Sequence, residues 1–205
     1  MELSKKEHWE NVFATKAVNE VSWYQPNPET SLQLFERYGI DKKAKIIEIG
    51  GGDSYLIDHL LLLGYEDLTV LDISEKAIER LKTRLGDKAK NVNFIVSDVL
   101  DFQPTERYDV WHDRASFHFL TETNDIQKYV DLASEALTQD GFLFLATFSA
   151  NGPLKCSGLT VTQYDEPKIG LLFQNNFQKL NCFTTNHQTP FDTIQNFIFC
   201  SFQKK

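Results

Sequence analysis

The feature of this sequence that most restricts its fold is a short apolar run followed by a helical pattern, which recurs between residues 44 and 148. Strands that alternate with helices build parallel sheets. The predicted strands are Ala44–Gly50, Asp67–Ile73, Val92–Asp98, Tyr108–Arg114 and Gly141–Phe148. The last of these is continuously apolar, which is typical of a strand buried on both faces. The sequence therefore predicts an α/β fold with a Rossmann-like, doubly wound sheet.

The segments on either side of this region extend the prediction. Two helices are expected near Trp9 and Phe35, and a third over Glu166–Phe173. Two apolar segments, Phe177–Thr184 and Thr193–Phe202, can pair as an antiparallel hairpin. The sheet is thus predicted to have seven strands, mostly parallel. We expect residues 1–40 to form an N-terminal helical lid segment and residues 41–205 to form the main domain, with a single domain overall.

Charge and cysteine content exclude several classes of function. The chain has 29 acidic and 21 basic side chains, a formal charge of -8. Its scattered Lys and Arg argue against nucleic acid as a partner. The polar, charged N-terminus is unlike a signal peptide, so we expect no membrane partner and a cytoplasmic location. Three cysteines without a CxxC motif predict reduced thiols, with neither a disulfide framework nor a metal site.

The turn after the first strand is the predicted ligand site, because ligands of open parallel sheets bind beyond the carboxyl ends of the strands. This turn holds Gly50, Gly51 and Gly52, and Asp53 or Ser54 is expected to cap the following helix. Glycines let a ligand approach the backbone. Asp72 ends the second strand twenty residues after Gly52, where a carboxylate can accept hydrogen bonds from two ribose hydroxyls.

Two details separate this turn from a dinucleotide site. The third glycine of G-x-G-x-x-G would fall at Tyr55, and a pyrophosphate at the start of the helix would meet Asp53. A nucleoside without phosphates avoids both conflicts. S-adenosyl-L-methionine is such a nucleoside, and Glu48 is placed to accept a hydrogen bond from its ammonium group.

Over most of residues 44–148 the chain resembles the class I S-adenosylmethionine-dependent methyltransferases. Their motif E/D-x-G-x-G-x-G matches Glu48, Gly50 and Gly52, with Ser54 in place of the last glycine. The resemblance implies S-adenosyl-L-methionine as cofactor. It also implies the roles of four further residues: Asp72 on the ribose, Ile73 against the adenine, Asp98 on the adenine amino group and Val99 through a backbone contact.

The end of the fourth strand is the candidate catalytic edge. Its sequence Trp111-His112-Asp113-Arg114 is similar to the W-D-R segment of thiopurine S-methyltransferase and related small-molecule methyltransferases, with His112 inserted. Asp113 and Arg114 form either a clamp for the cofactor tail or a structural ion pair. His118 is a candidate general base or a packed histidine.

Aromatic residues near the N-terminus suggest a lid. Trp9, Trp23 and Tyr24 offer faces that favour a sulfonium and an adenine. The resemblance suggests that they fold over the cofactor, and the alternative is a hydrophobic anchor for two amphipathic helices. Cys156 either lines the acceptor pocket or is an unreactive loop thiol.

These observations favour an enzyme that methylates a small soluble acceptor by in-line displacement. A protein lysine is the alternative acceptor. Two rival classes remain open, a nicotinamide-dependent oxidoreductase and a binding subunit that keeps the nucleoside pocket without turnover. The Asn-Pro-Pro-Tyr signature of amino-directed nucleic-acid methyltransferases is absent after the fourth strand.

Overall fold

Six α-helices and nine strands, joined by loops and short 3-10 turns, follow one another along residues 3–205, the part of the chain that the computed structural model describes. The helices are α1 Lys5–Thr15, α2 Glu29–Arg37, α3 Leu56–Leu62, α4 Glu75–Leu85, α5 Thr123–Ala136 and α6 Glu166–Phe173. The strands are β1 Lys45–Ile49, β2 Asp67–Asp72, β3 Val92–Val96, β4 Tyr108–Arg114, β5 Leu137–Phe148, β6 Lys155–Cys156, β7 Leu159–Thr160, β8 Phe177–Gln188 and β9 Ile194–Lys204.

Seven of these strands form one sheet in the order β3-β2-β1-β4-β5-β9-β8. Neighbours from β3 to β5 are parallel, whereas β9 runs antiparallel to both β5 and β8. This confirms the predicted doubly wound, mostly parallel sheet with an antiparallel C-terminal pair. The strand order reverses between β1 and β4, where a cleft opens at the carboxyl ends of the strands.

Both faces of the sheet are covered. The inner residues of β5 alternate between the two apolar clusters, with Leu143 and Leu145 on one face and Phe144 and Ala146 on the other. All four are at most 1% exposed. The continuous apolar run predicted this two-sided burial.

Several element boundaries differ from the prediction. Strand β5 begins at Leu137 rather than Gly141, because Asp140 adopts a φ of 62° and the chain passes through an irregular register without leaving the sheet. The hairpin strands β8 and β9 are also longer than predicted. Helix α3 has Tyr55 as its N-cap rather than Asp53 or Ser54, although Ser54 Oγ accepts a hydrogen bond from Leu56 N at 3.0 Å.

The prediction of three reduced thiols was wrong for two of them. Cys182 and Cys200 face each other in the β8–β9 register and form a disulfide, with Cα atoms 4.2 Å apart. Sequence spacing could not show this pair because antiparallel register brings together residues 18 positions apart. Cys156 is free and buried.

None of the helices formed by residues 3–205 combines the length and apolar character needed to cross a membrane. Within the same residues, no group of three or more His, Cys, Asp or Glu side chains is arranged to hold a metal ion.

Candidate active site

A cleft at the carboxyl ends of β1 to β4, which we call the main cleft, brings together most of the predicted site residues. The predicted residues in its wall are Trp9, Trp23, Gly50, Asp72, Ile73, Asp98, Val99 and Arg114. A smaller side cleft shares Trp23, Gly50 and Arg114 with it and adds Tyr24, Glu48 and His112. The two clefts therefore meet at the turn after β1 and the end of β4.

The glycine turn is shaped by close approaches of its neighbours. Gly50 has a φ of +65°, which favours glycine, and its N–H donates to Leu71 O at 2.7 Å. A Cβ at Gly51 would lie 2.8 Å from the Glu48 side chain. A Cβ at Gly52 would lie 2.4 Å from Ala77 Cβ. A side chain is thus disfavoured at each of the three positions, and of the three glycines Gly50 lines both clefts.

Asp72 joins this turn to the start of helix α4. Its Oδ2 accepts a hydrogen bond from Gly52 N at 3.0 Å, and its Oδ1 accepts one from Ser74 N at 2.8 Å. The side chain is buried, and burial raises the pKa of Asp72 to about 6, so the carboxylate is ionised near neutral pH. Each oxygen keeps a free lone pair for a further donor.

Glu48 is a buried carboxyl group at the end of β1. Its Oε2 has no hydrogen-bond partner among residues 3–205, and its Oε1 lies 3.9 Å from His112 Nδ1. Burial raises the pKa of Glu48 to about 8. A buried carboxyl with an unused oxygen beside a cleft suits a positively charged ligand group.

This raised pKa predicts how stability depends on pH. The native state keeps Glu48 protonated up to about pH 8, whereas the unfolded chain loses that proton near pH 4.5. Stability is therefore lost as pH rises from about 4.5 to 8. We expect Glu48→Gln to stabilise the ligand-free protein by about 1 to 4 kcal/mol at pH 8 and much less at pH 5. Denaturant unfolding at both values measures this.

The exposed Glu36 provides the matched control, because Glu36→Gln removes the same charge without a change in burial. Its free energy of unfolding should change between pH 5 and pH 8 by the same amount as that of the wild type. The same change in Glu48→Gln as in the wild type would contradict the buried, protonated state of Glu48.

The predicted adenine contacts lie at the ends of β2 and β3. Ile73 and Val99 line the main cleft beside Asp98. Asp98 Oδ1 accepts a hydrogen bond from Leu100 N at 2.9 Å, and Ser97 N donates to Asp72 O at 2.9 Å. These bonds fix the exit of β3 against the end of β2.

Asp113 and Arg114 do not form the ion pair that was one of the two predicted alternatives. Asp113 Oδ1 accepts from Ser116 N at 3.0 Å and Phe117 N at 3.2 Å, and its Oδ2 accepts from Tyr129 at 2.6 Å. Arg114 instead donates from Nη1 to Trp23 O at 3.1 Å. Consecutive residues of a strand point to opposite faces, which separates the two side chains.

The two histidines of this region are buried and neutral. His118 stacks on Phe148 with ring centroids 4.1 Å apart, and neither of its nitrogens has a hydrogen-bond partner among residues 3–205. His112 Nε2 lies 2.9 Å from Ser31 Oγ. Burial, together with the charge of Arg114, lowers the pKa of each to about 3.

Helix α1 lies over the main cleft and is fixed to helix α4 through its C-terminal half. Glu10 accepts hydrogen bonds from Glu75 N at 2.7 Å and Ser74 Oγ at 3.0 Å, at the N-terminus of α4. Arg80 of α4 donates to the Phe13 carbonyl at 2.9 Å. Trp9 directly precedes Glu10, and its ring lies 5.7 Å from that of Trp23. Both predicted tryptophans therefore cover the cleft.

Tyr24 and Cys156, which the sequence also offered as candidates, do not line the main cleft. Tyr24 lines the side cleft and packs edge-on against Tyr55 at 5.9 Å. The Cys156 thiol is buried 3.8 Å from Ser22 Oγ, and burial raises its pKa, so it stays protonated.

Among the residues in the wall of the main cleft that sequence reasoning did not assign to the site are Lys5, Ser97, Ser116, Phe119 and Tyr129. Ser97, Ser116 and Phe119 follow the ends of β3 and β4, so the rule that ligands bind at these ends could have found them. Tyr129 lies in the middle of α5. It reaches the cleft through tertiary packing, for which the sequence has no local signal.

Part of the chain is similar to known methyltransferases. Residues 47–143 match a family model described as "Methyltransferase domain". The eEF1A lysine and N-terminal methyltransferase of Mus musculus is 28% identical over 127 residues, which are 61% of this chain and 18% of that protein. The malonyl-[acyl-carrier protein] O-methyltransferase of Bacillus anthracis is 33% identical over 116 residues, 56% of this chain and 41% of that protein. The chain thus spans less than half the length of these relatives.

Solved structures share the fold over nearly the whole chain. The N-methyltransferase NodS from Bradyrhizobium japonicum WM9, in complex with S-adenosyl-L-homocysteine, superposes with a TM-score of 0.73. The match covers 98% of this chain and 99% of NodS at 15% identity. The likeness therefore extends to the fold of the whole chain.

Proposed function

We propose that this chain, an S-adenosyl-L-methionine-dependent methyltransferase by its domain and fold, transfers a methyl group to a small soluble acceptor. The observation that carries this proposal is the pair of buried carboxyl groups around the glycine turn. Asp72 is bound to the turn by Gly52 N, and Glu48 lies beneath it with an unused oxygen. Such a site suits a cationic nucleoside without phosphates.

The residues present fit S-adenosyl-L-methionine, which supplies an electrophilic methyl group when bound. Asp72 would accept hydrogen bonds from the ribose hydroxyls, and Glu48 would accept one from the ammonium group. Ile73 and Val99 would pack against the adenine, and Asp98 would accept from its amino group. Gly50, Gly51 and Gly52 would let the ligand approach the backbone.

A neutral or anionic acceptor fits this chain better than a lysine ammonium. The rings of Trp9, Trp23 and Phe119 close over the cleft. The pKa values of His112 and His118 are lowered to about 3, so both imidazoles are weak bases near neutral pH. An acceptor that needs no base requires only alignment with the methyl group and exclusion of water, which a closed lid provides.

We assign Asp113 a positioning role rather than a catalytic one. All three of its hydrogen bonds lead to the backbone of Ser116 and Phe117 or to Tyr129, and these three residues line the main cleft. It would therefore hold the floor of the site. We assign His118 a packing role, because its side chain is fully buried and its ring stacks on Phe148 at 4.1 Å.

A protein lysine is the second candidate acceptor, because the eEF1A methyltransferase matches 61% of this chain. The similarity of the Trp111–Arg114 segment to the W-D-R segment of thiopurine S-methyltransferase is a further reason to propose a small-molecule acceptor.

The experiment incubates the purified chain with methyl-tritiated S-adenosyl-L-methionine and two fractions of a cell extract, dialysable small molecules and retained protein. Label in the small-molecule fraction supports the first candidate, and label on protein lysine supports the second. Absence of label in both fractions, with thermal stabilisation by NAD and none by S-adenosyl-L-homocysteine, would reject the methyltransferase in favour of the oxidoreductase. Stabilisation by S-adenosyl-L-homocysteine without transfer would indicate a binding subunit.

We also propose that residues 1–40 act as a lid on the domain formed by residues 41–205. Removal of residues 1–25 is expected to weaken cofactor binding more than stability. Trp9→Ala tests this with less disruption and should lower affinity about three- to tenfold, because one aromatic contact is worth about 0.5–1.5 kcal/mol. The control is Phe191→Ala at an exposed hairpin tip. Equal affinity of the wild type and Trp9→Ala in calorimetry would remove Trp9 from the lid.

A further inference from the structure

Helix α1 turns one face toward the main cleft. Lys5, Trp9 and Phe13 recur every four residues along the helix, and all three line the wall of the cleft. Residues at this spacing lie on one side of a helix, so the way in which α1 is held decides where the Trp9 ring lies. Trp9 is followed directly by Glu10, whose side chain contacts helix α4.

Glu10 binds the first turn of α4. Its Oε1 accepts a hydrogen bond from Glu75 N at 2.7 Å, and its Oε2 accepts from Ser74 Oγ at 3.0 Å and Lys76 N at 3.3 Å. The first N–H groups of a helix have no partner within the helix, and they form the positive end of its dipole. Desolvation acts to raise the pKa of Glu10, but these hydrogen bonds lower it below its ordinary value. The contact is therefore made by an ionised carboxylate.

Ser74 connects this contact to the proposed ribose site. Its N–H donates to Asp72 Oδ1 at 2.8 Å, while its hydroxyl donates to Glu10 and accepts from Ala77 N at 3.2 Å. Asp72 and Trp9 both line the main cleft. The helix that covers the cleft and the carboxylate inside it are therefore linked through a single residue.

A second contact holds the C-terminal end of α1. Arg80 Nη1 donates to the carbonyls of Phe13 and Lys16, both at 2.9 Å. The last carbonyls of a helix lack partners within it, and a cation is favourable there. Arg80 Nη2 lies 3.1 Å from Asp53 Oδ2, beside the glycine turn. Removal of the Glu10 carboxylate should therefore loosen the middle of α1 without detaching the helix.

We propose that Glu10 is a positioning residue that latches α1 over the main cleft and slows release of the molecule bound there. Its hydrogen bonds to α4 hold Trp9 over the cleft and fix the turn that follows Asp72. That this molecule is S-adenosyl-L-methionine rests on the proposed function, whereas the latch rests on contacts within the chain. Because coupling between two equilibria is reciprocal, a ligand in the cleft should also tighten α1.

Hydrogen exchange measured by mass spectrometry tests the latch in the full chain, free and saturated with S-adenosyl-L-homocysteine. The variants are Glu10→Ala, which removes both acceptor oxygens, and Glu10→Gln, which keeps one. The control is Glu79→Gln on the exposed side of α4, which removes a carboxylate charge from α4 itself. Stopped-flow tryptophan fluorescence measures the rate at which S-adenosyl-L-homocysteine dissociates from each protein.

In the free protein, Glu10→Ala should exchange about tenfold or more faster in α1 and the first turn of α4, with β1 to β5 unchanged. Glu10→Gln should recover part of the protection, because its oxygen can still accept from Glu75 N. S-adenosyl-L-homocysteine should slow exchange of α1 in the wild type and dissociate about tenfold faster from Glu10→Ala. A merely structural role would raise exchange throughout the sheet and leave the dissociation rate of the folded protein unchanged.

Unchanged exchange of α1 in Glu10→Ala would overturn the proposal. An unchanged dissociation rate, or equal effects of Glu79→Gln, would overturn it as well. Failure of the proposed function has a different signature. In that case S-adenosyl-L-homocysteine binds none of the proteins, including the wild type, while exchange of α1 in the free protein still depends on Glu10. That result would support the latch and reject the cofactor.

Discussion

Replacement of Asp72 with alanine is expected to lower the affinity for S-adenosyl-L-homocysteine about 100-fold or more. Two ribose hydroxyls would lose an ionised acceptor, and hydrogen bonds to charged groups contribute about 1.5–3 kcal/mol each. The carboxylate is ionised near neutral pH because its pKa is about 6. The same substitution removes the bond from Gly52 N, so the glycine turn also loses its link to β2. Calorimetry near pH 7.5 measures the change.

Asp67→Ala is the matched control, because Asp67 is the first residue of the same strand and lies at the opposite edge of the sheet. It should leave the affinity unchanged. Asp72→Asn is a second variant that keeps the size of the side chain. Its amide would present N–H groups to either Gly52 N or Ser74 N, so it should also bind weakly. Wild-type affinity in Asp72→Asn and Asp72→Ala would show that this carboxylate does not hold the ribose.

The sheet could be predicted because its signals are local. The apolar runs that form β1 to β5 each lie within a single segment of sequence. What escaped prediction depends on register between distant segments. The Cys182–Cys200 disulfide and the extension of β5 past Asp140 are both set by partner strands.

In the candidate site, too, local features could be predicted and contacts between distant elements could not. Glu48, Gly52 and Asp72 could be identified because strand ends in a parallel sheet converge at one edge. The separate partners of Asp113 and Arg114 could not, because they depend on Tyr129 and on the Trp23 carbonyl, which lie in other elements. Sequence proximity suggested a pair, whereas strand geometry assigns the two side chains to different neighbours.

Gly52→Ala is expected to disrupt the turn that joins these carboxyl groups. Its Cβ would lie 2.4 Å from Ala77 Cβ and 2.8 Å from Asp72 Oδ2. Ala77 Cβ has no rotatable bond with which to move away, so the turn or helix α4 must shift. Overpacking of this kind costs about 1–3 kcal/mol, and any displacement of the Asp72 carboxylate should lower nucleoside affinity about 100-fold.

A second substitution tests whether the contact with Ala77 is the cause. The double variant Gly52→Ala with Ala77→Gly removes the closest approach and should recover part of the affinity, although glycine inside α4 costs about 1 kcal/mol of helix stability. Gly170→Ala in α6 is the control, because its Cβ would meet only Lys179 Cδ at 3.9 Å. That control should stabilise the protein by about 0.5–1 kcal/mol without a change in affinity. If the double variant bound no better than Gly52→Ala, the loss would come from the Asp72 contact, and the spacing between turn and helix would not set the affinity.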